Sequence, residues 1–242
     1  MKTTLCFDFG NTRLKCGVFK DRDFIEEKIL FTAEGTSIQE LIDEYRPDKT
    51  ILSSVINHPL EIEGLLAKHS LFHKLGHGSK LPLTTPVGKP ETIGADRLAI
   101  CAAAVDLFPD QHNLAIGLGT CITYNYINKA HEFLGGSISP GMNMRFRAMH
   151  EQTALLPMIK AEHNFPLVGF DTKTNLLSGV ILGMSKEIDG IIDAYALKYN
   201  NFNVLLTGGD MGFFVPHLKN KIFADPNLIY KGLYAISEYN NR

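Results

Sequence analysis

Charge of one sign is missing from this chain. Its 24 lysines and arginines face 26 aspartates and glutamates, for a net charge of −2. It therefore lacks the basic excess that nucleic-acid backbones select and the acidic run of a solvated tail. Cysteine is scarce: Cys6, Cys16, Cys101 and Cys121 lie scattered among apolar neighbours with no CxxC pair. That spacing predicts buried free thiols rather than a disulfide framework. Long apolar runs are absent, so no segment reads as a membrane span and no membrane partner is expected. The opening stretch MKTTLCFDFG has one lysine, and its apolar run is broken by Asp8. It does not resemble a signal peptide, and the expected compartment is the cytoplasm. The nine histidines contain no HExxH. His69, His73 and His77 recur every four residues, but Gly76 and Gly78 argue against a continuing helix there, so no metal cluster is expected.

What is present suits one or two compact domains: 242 residues, 45% of them hydrophobic. TTLCFDFG, RLKCGVFK and DFIEEKILF read as three short strands. SIQELIDEYR places Ile38, Leu41, Ile42 and Tyr45 at helical spacing, with Ser37 as the expected cap and Pro47 as the stop. KTILSSV reads as a buried strand and PLEIEGLLAKH as a helix. The Pro-, Thr- and Gly-rich segment 80–89 reads as a loop. ADRLAICAAAVDLF is a helix closed by Pro109, NLAIGLGTCITYNYI a strand, turn and strand, and HEFLGGSISPG a strand followed by a loop. The rest reads as helix, long helix, strand and closing helix. Strands alternating with helices predict an α/β class.

The stretch FDFGNTRLKCGVF carries Asp8, Gly10, Asn11 and Thr12 between two apolar runs. As a plain hairpin it needs only turn residues. As a phosphate loop it offers close backbone approach at Gly10, donors at Asn11 and Thr12, a charge at Lys15, and Asp8 to hold Mg²⁺ directly or through water. NLAIGLGTCITYNYI repeats the plan almost half a chain later. Gly119-Thr120 lines up with Gly10-Asn11-Thr12, and Gly117 lines up with Asp8. Two similar halves, 1–112 and 113–242, would set two such hairpins across a cleft from one another, suited to gripping a polyphosphate.

Three further stretches stand out. GADR, Gly94 to Arg97, opens a helix. An aspartate in a first turn is commonly a structural cap, but an arginine beside it is unusual and suits an anion such as a carboxylate. An ionised Asp96 there can accept a proton from a hydroxyl. GGSISPG permits close approach of a backbone or a ligand. LLTGGD runs a buried strand into Gly208 and Gly209, where nucleotide folds border a base or ribose.

These stretches, in this order and over nearly the whole chain, resemble the type III pantothenate kinases. DFGNTRLK, SSV, GADR, GLGTCIT, GGSISPG, LLP, DTKTNLLSGVILG and TGGD are the matching runs. The resemblance implies the acetate and sugar kinase, heat-shock and actin (ASKHA) fold: duplicated actin- or ribonuclease-H-like domains with mixed sheets, flanking helices and a central cleft. It implies ATP-dependent phosphorylation of pantothenate, the first step of coenzyme A synthesis, by homodimers with composite substrate pockets. Asp96 then falls on the catalytic base. Val87, Gly94, Ala95, Arg97 and Thr172 fall where pantothenate is held. Asp8, Phe9, Gly10, Asn11, Thr12, Arg13, Leu14 and Lys15, with Gly119, Thr120, Gly208 and Gly209, fall where ATP is bound, with Mg²⁺ held at Asp8.

The chain departs from the family pattern in two places. The family's second phosphate motif usually opens with an aspartate that binds an activating K⁺ or NH₄⁺, and here that position is Gly117. The cation is then either absent or held by carbonyls alone. The family also usually carries an aromatic three positions before the proline that precedes its GxDR, where this chain has Val87. The alternatives are another small-molecule kinase of the same fold, or a catalytically silent regulatory relative. The presence of Asp8, Lys15 and Asp96 argues against the silent relative.

Overall fold

A computed structural model describes residues 1–241. The elements follow in chain order: β1 (Thr3–Phe9), β2 (Leu14–Lys20), β3 (Asp23–Leu30), α1 (Gly35–Tyr45), β4 (Lys49–Ser54), α2 (Leu60–His69), β5 (Leu71–Lys74) and α3 (Ala95–Leu107). Then come β6 (His112–Leu118), β7 (Cys121–Ile127), β8 (Phe133–Pro140), α4 (Met142–Glu151), α5 (Thr172–Lys198), β9 (Phe202–Thr207), α6 (Met211–Phe214), β10 (Phe223–Ala224) and α7 (Leu228–Asn240). The strands form two five-stranded sheets, ordered β3-β2-β1-β4-β5 and β10-β9-β6-β7-β8. Reversing the second order gives β8-β7-β6-β9-β10, the same plan as the first. The parallel pairs correspond as well: β1 with β4 and β4 with β5 in one sheet, β6 with β9 and β9 with β10 in the other. The repeat seen in the sequence is thus a repeat of topology.

The chain divides into two compact units. One is Met1–Asp110 with Ile127–Leu134 and the chain from Asn227 onward; the other is Gln111–Tyr126 with Gly135–Pro226. In the first unit, strand alternation sorts β1 into two faces. Leu5, Phe7 and Phe9 point into a core shared with Ile38, Leu41 and Ile42 of α1 and Ile62 and Leu66 of α2. The opposite face, carrying Cys6 and Asp8, meets α7, whose Tyr234 stacks on Phe19 of β2 at 4.7 Å. Helix α3 is buried without a break from Leu98 to Val105, as a helix inside a core should be. In the second unit the core gathers around α5, with Leu176, Leu177, Val180, Ile181, Met184 and Ile188 packed against the β6 and β7 side chains.

Several local expectations are corrected. Ser37 does not cap α1. The helix starts two residues earlier, at Gly35, because the Ile38 N–H already bonds the Glu34 carbonyl, and Glu34 makes no side-chain cap. Arg46, in the left-handed region at φ 45°, ends it before Pro47. After Gly135 and Gly136 the chain does not loop; β8 continues through Pro140, and a side chain at Gly136 would overlap the Tyr124 carbonyl of β7. All four cysteines are free, but Cys121 is half-exposed, since it opens β7 beside the turn. Among the described residues no helix is long and apolar enough to cross a membrane.

Candidate active site

The β1–β2 hairpin is closed by the Gly10 N–H donating to the Arg13 carbonyl at 3.1 Å. Asn11, Thr12 and Arg13 are exposed at its tip. Phe9 is buried, edge-on to Phe7 and His58, and Leu14 packs on the same core. A ligand at this hairpin therefore meets the backbone of Phe9 and Leu14, not their side chains. Asp8 and Lys15 are direct cross-strand partners, so they share the face opposite the aromatic core.

That face is a charged row. Lys15 Nζ donates to Glu27 Oε2 of β3 at 2.9 Å, and the Tyr230 hydroxyl of α7 donates to the same oxygen at 2.8 Å. On the other side of Asp8, its parallel partner is Ser53 of β4. Ser53 Oγ is fully buried and, among the described residues, the only such side-chain atom with no hydrogen-bond partner. Burial, and after it the Asp96 carboxylate, push the Asp8 carboxyl up to about 7 against the pull of Lys15. Two carboxylates therefore share one neighbourhood at the exit of β1, and the charge of Asp96 disfavours the ionisation of Asp8.

Asp96 reaches that neighbourhood from the start of α3. Gly94 is the N-cap, with no side-chain cap bond. Asp96 is the second helical residue and folds back so that its Oδ1 lies 2.5 Å from where a Gly94 side chain would begin. Arg97 is half-buried, with its guanidinium carbon 5.5 Å from the centre of the Phe133 ring. Ala95 is half-buried in the same turn, and Val87 is half-buried in the preceding loop.

The second unit builds a neutral counterpart. Its hairpin is a two-residue turn in which the Gly119 N–H donates to the Cys121 carbonyl at 3.1 Å, and Gly119 and Thr120 are both exposed. Gly117 is buried within β6 beside Thr207 of β9. The chain leaves β9 through Gly208 at φ 106°, where any side chain would strike the Leu118 carbonyl. The Asp210 N–H then bonds that carbonyl at 3.2 Å. Gly208 and Gly209 are thereby held next to Gly119 and Thr120. Thr172 is exposed at the start of α5, whose N-terminus is closed by a reciprocal Asp171–Thr174 capping box. It borders a cavity of ≈ 680 Å³ with Arg145, Met149, Leu156 and Asn175. Arg145 is paired there with Glu187, which also accepts from the Tyr124 hydroxyl.

The structure thus gathers Asp8, Lys15, Asp96 and the 94–97 turn in one unit, and Gly119, Thr120, Gly208, Gly209 and Thr172 in the other. Sequence reasoning missed Glu27, Tyr230 and the role of Ser53. One signal was legible. Gly17 interrupts an otherwise apolar strand, and a glycine there marks something large lying close against the backbone. The object is the Tyr230 ring, 2.6 Å from where a Gly17 side chain would begin.

Comparison with known proteins identifies relatives. The family model described as type III pantothenate kinase matches residues 4–194. A type III pantothenate kinase from Christiangramia forsetii is 36% identical over 238 residues, covering 98% of each chain. Among solved structures, a Campylobacter jejuni protein of the Baf family superposes with a TM-score of 0.62 at 20% identity, covering 98% of each chain. A glucokinase from an Antarctic psychrotroph gives 0.53 at 10% identity, covering 98% of this chain and 99% of its own. At such identities these two structures speak for the fold alone, the duplicated mixed-sheet ASKHA fold.

Proposed function

The chain belongs to the type III pantothenate kinase family, and from that premise we propose that it transfers the γ-phosphoryl group of ATP to the primary hydroxyl of pantothenate, with Asp96 as general base. The observation that carries this reading is the arrangement around Asp8: an acid and a lysine pair across the end of β1 and β2, and a second acid from α3 lies close enough to act on the first. Phosphoryl transfer asks mainly for positioning and charge neutralisation. Asp96 takes the hydroxyl proton as the oxygen attacks phosphorus, and ADP leaves. Arg97 holds the pantothenate carboxylate, with the backbone of Gly94 and Ala95 and the Val87 side chain completing its pocket.

The nucleotide phosphates meet the backbone and side chains of residues 8–15, with Lys15 as the charge and Thr120 as a hydroxyl donor. Neither Gly10 nor Gly119 is demanded by the fold. A side chain at Gly119 would meet nothing, and one at Gly10 would touch only the Arg13 carbonyl at 3.4 Å. Glycine at both turns suits a ligand that comes close to the main chain. Gly208 and Gly209 border the nucleoside. Mg²⁺ fits the oxygen donors at Asp8, whose raised affinity for a proton and unpartnered neighbour Ser53 suit a cation or its water shell. Bound with ATP, Mg²⁺ supplies charge neutralisation on the phosphates. Gly117 offers no carboxylate for K⁺ or NH₄⁺, and we expect no monovalent requirement.

A homodimer fits the second unit, where Leu155, Leu167, Val168 and Phe170 are 92%, 79%, 79% and 81% exposed. So much bare apolar surface is uncommon on a monomer, and a composite pocket would bring Thr172 to the substrate of the partner copy. The buried, unreactive thiols of Cys6, Cys16 and Cys101 suit the reducing cytoplasm. The test is phosphorylation of pantothenate by ATP and Mg²⁺, beside a panel of sugars and short carboxylic acids. Turnover confined to pantothenate supports the reading; turnover confined to a sugar overturns it.

A further inference from the structure

Lys15 is held by a device that the fold takes trouble to build. In the β2–β3 ladder Lys15 stands opposite Ile29, and Gly17 stands opposite Glu27. Lys15 and Glu27 are therefore diagonal neighbours on one face, within reach of long side chains. The β2 residue opposite Glu27, next to Lys15 on that face, is glycine, and the space its missing side chain leaves is filled by the ring of Tyr230 from α7. That ring is 1% exposed and stacks at 5.8 Å on Phe24 of β3. Its hydroxyl donates to Glu27 Oε2, the oxygen that also accepts from Lys15. The carboxylate is thus pinned by a rigid, buried phenol before it meets the lysine. A lysine side chain carries four rotatable bonds and much rotamer freedom. Pinned in this way, its ammonium is held beside Asp8 instead of sweeping through solvent.

We propose that Glu27 and Tyr230 are positioning residues that hold the Lys15 ammonium for an ATP phosphate, an inference that rests on the reading of Lys15 as a phosphate ligand. Two of the three ammonium protons remain for other acceptors when Glu27 takes one. Pre-ordering a charged donor lowers the cost of binding at the moment the ligand arrives. Tyr230 acts through Glu27 and does not touch substrate.

The test measures Mg·ATP affinity by calorimetry on the full chain, with KM and kcat beside it, for Tyr230→Phe, Glu27→Gln, Lys15→Met and the double variant Lys15→Met/Tyr230→Phe. Tyr230→Phe keeps the ring that fills the Gly17 gap, so it removes one hydrogen bond and little packing. It should weaken Mg·ATP binding by about threefold to tenfold and leave the KM for pantothenate and the thermal midpoint nearly unchanged. Glu27→Gln should do the same. In the Lys15→Met background Tyr230→Phe should have no further effect, because the group it positions is gone. If Tyr230→Phe weakens binding equally in both backgrounds, or in neither, while Lys15→Met alone weakens it, the positioning role is wrong and the lysine's role stands. If Lys15→Met binds Mg·ATP like the unaltered chain, the reading of Lys15 falls and the proposal falls with it.

Discussion

The two sheets have the same strand order and opposite electrical character. Across β1, β2 and β3 run Asp8, Lys15 and Glu27, tied to a buried tyrosine and close to a second acid. The corresponding strands carry no charged residue between Asn113 and Ile127 in β6 and β7 or from Phe133 to Pro140 in β8, and Gly117 stands where Asp8 stands in the first copy. The hairpins differ likewise. Four residues, Gly10 to Arg13, turn the first, and only Gly119 and Thr120 turn the second. A duplicated scaffold has thus been divided by role. On the proposed reading, one copy keeps the half-buried charges that phosphoryl transfer needs, and the other offers only backbone donors and a hydroxyl. Buried charges are expensive unless paired, which is reason enough to build them once.

If the charged copy carries the chemistry, the largest effect belongs to Asp96. Asp96→Asn keeps shape and removes the base, and turnover should fall by about 10² to 10⁴ with ATP and pantothenate binding nearly intact. Steady-state assays with binding isotherms check this; full turnover in the variant would remove Asp96 from the role of base.

Asp8 gives the next largest effect, visible in the pH dependence. Its folded pKa is about 7, against about 3.9 in an unfolded chain. The sign follows from proton counting. Between those values the folded protein binds a proton that the unfolded chain has lost, so stability declines as pH rises towards about 7. The contribution is complete below the unfolded value and gone above the folded one. Asp8→Asn should therefore stabilise the metal-free protein by about 2 kcal/mol at pH 8, allowing for solvent screening, and change little at pH 4. Thermal melts at the two pH values decide it. In the intact enzyme, activity at limiting Mg²⁺ should drop as pH falls through 7, and raising Mg²⁺ should move that acid limb lower, because metal and proton compete for one carboxylate.

Thr120 tests the neutral copy. Thr120→Val removes a hydroxyl at an exposed turn and should raise the KM for ATP by about threefold to tenfold, the range expected of one uncharged hydrogen bond. Its effect should lie below that of Asp96→Asn. A larger loss at Thr120 than at Asp96 would invert the division of roles.

Much of this division was legible in the sequence, and the reasons are local. DFGNTRLK and GLGTCIT announce themselves because apolar runs on either side of Gly and Thr fix a strand, a turn and a strand within a few residues. GADR is legible because an N-cap glycine and a first-turn acid are positional signals. The partners of Lys15 were not legible. Glu27 reaches it only through the β2–β3 register, and Tyr230 lies some two hundred residues away on α7, a helix that rejoins the first unit after the chain has built the second. Its pattern, LIYKGLYAISEYN, says that one face is apolar and not which sheet that face will meet. The Ser37 cap failed for a different reason: a capping residue is a preference, and α1 extended backwards through Gly35 and Thr36 without one.

The smallest expected effect is the most informative about Gly117. In the neutral copy nothing at that position can neutralise a cation, and the site is buried against Thr207 at the end of a parallel strand pair. Turnover with K⁺ and turnover with a bulky organic cation in its place are therefore expected to agree. Gly117→Asp reverses the argument. It places an unpaired carboxylate in a buried strand end, which should lower the thermal midpoint in the organic cation, by an amount equivalent to about 1 to 3 kcal/mol. Adding K⁺ should recover part of that loss if the surrounding carbonyls can complete a cation shell around the new charge. Recovery by K⁺ in the variant, with no K⁺ effect in the parent, would mean that the second copy retains the shape of a cation site and has lost only its charge. A parent that turns over only with K⁺ would mean instead that carbonyls alone suffice, and the neutral copy would then be doing electrostatic work without any formal charge of its own.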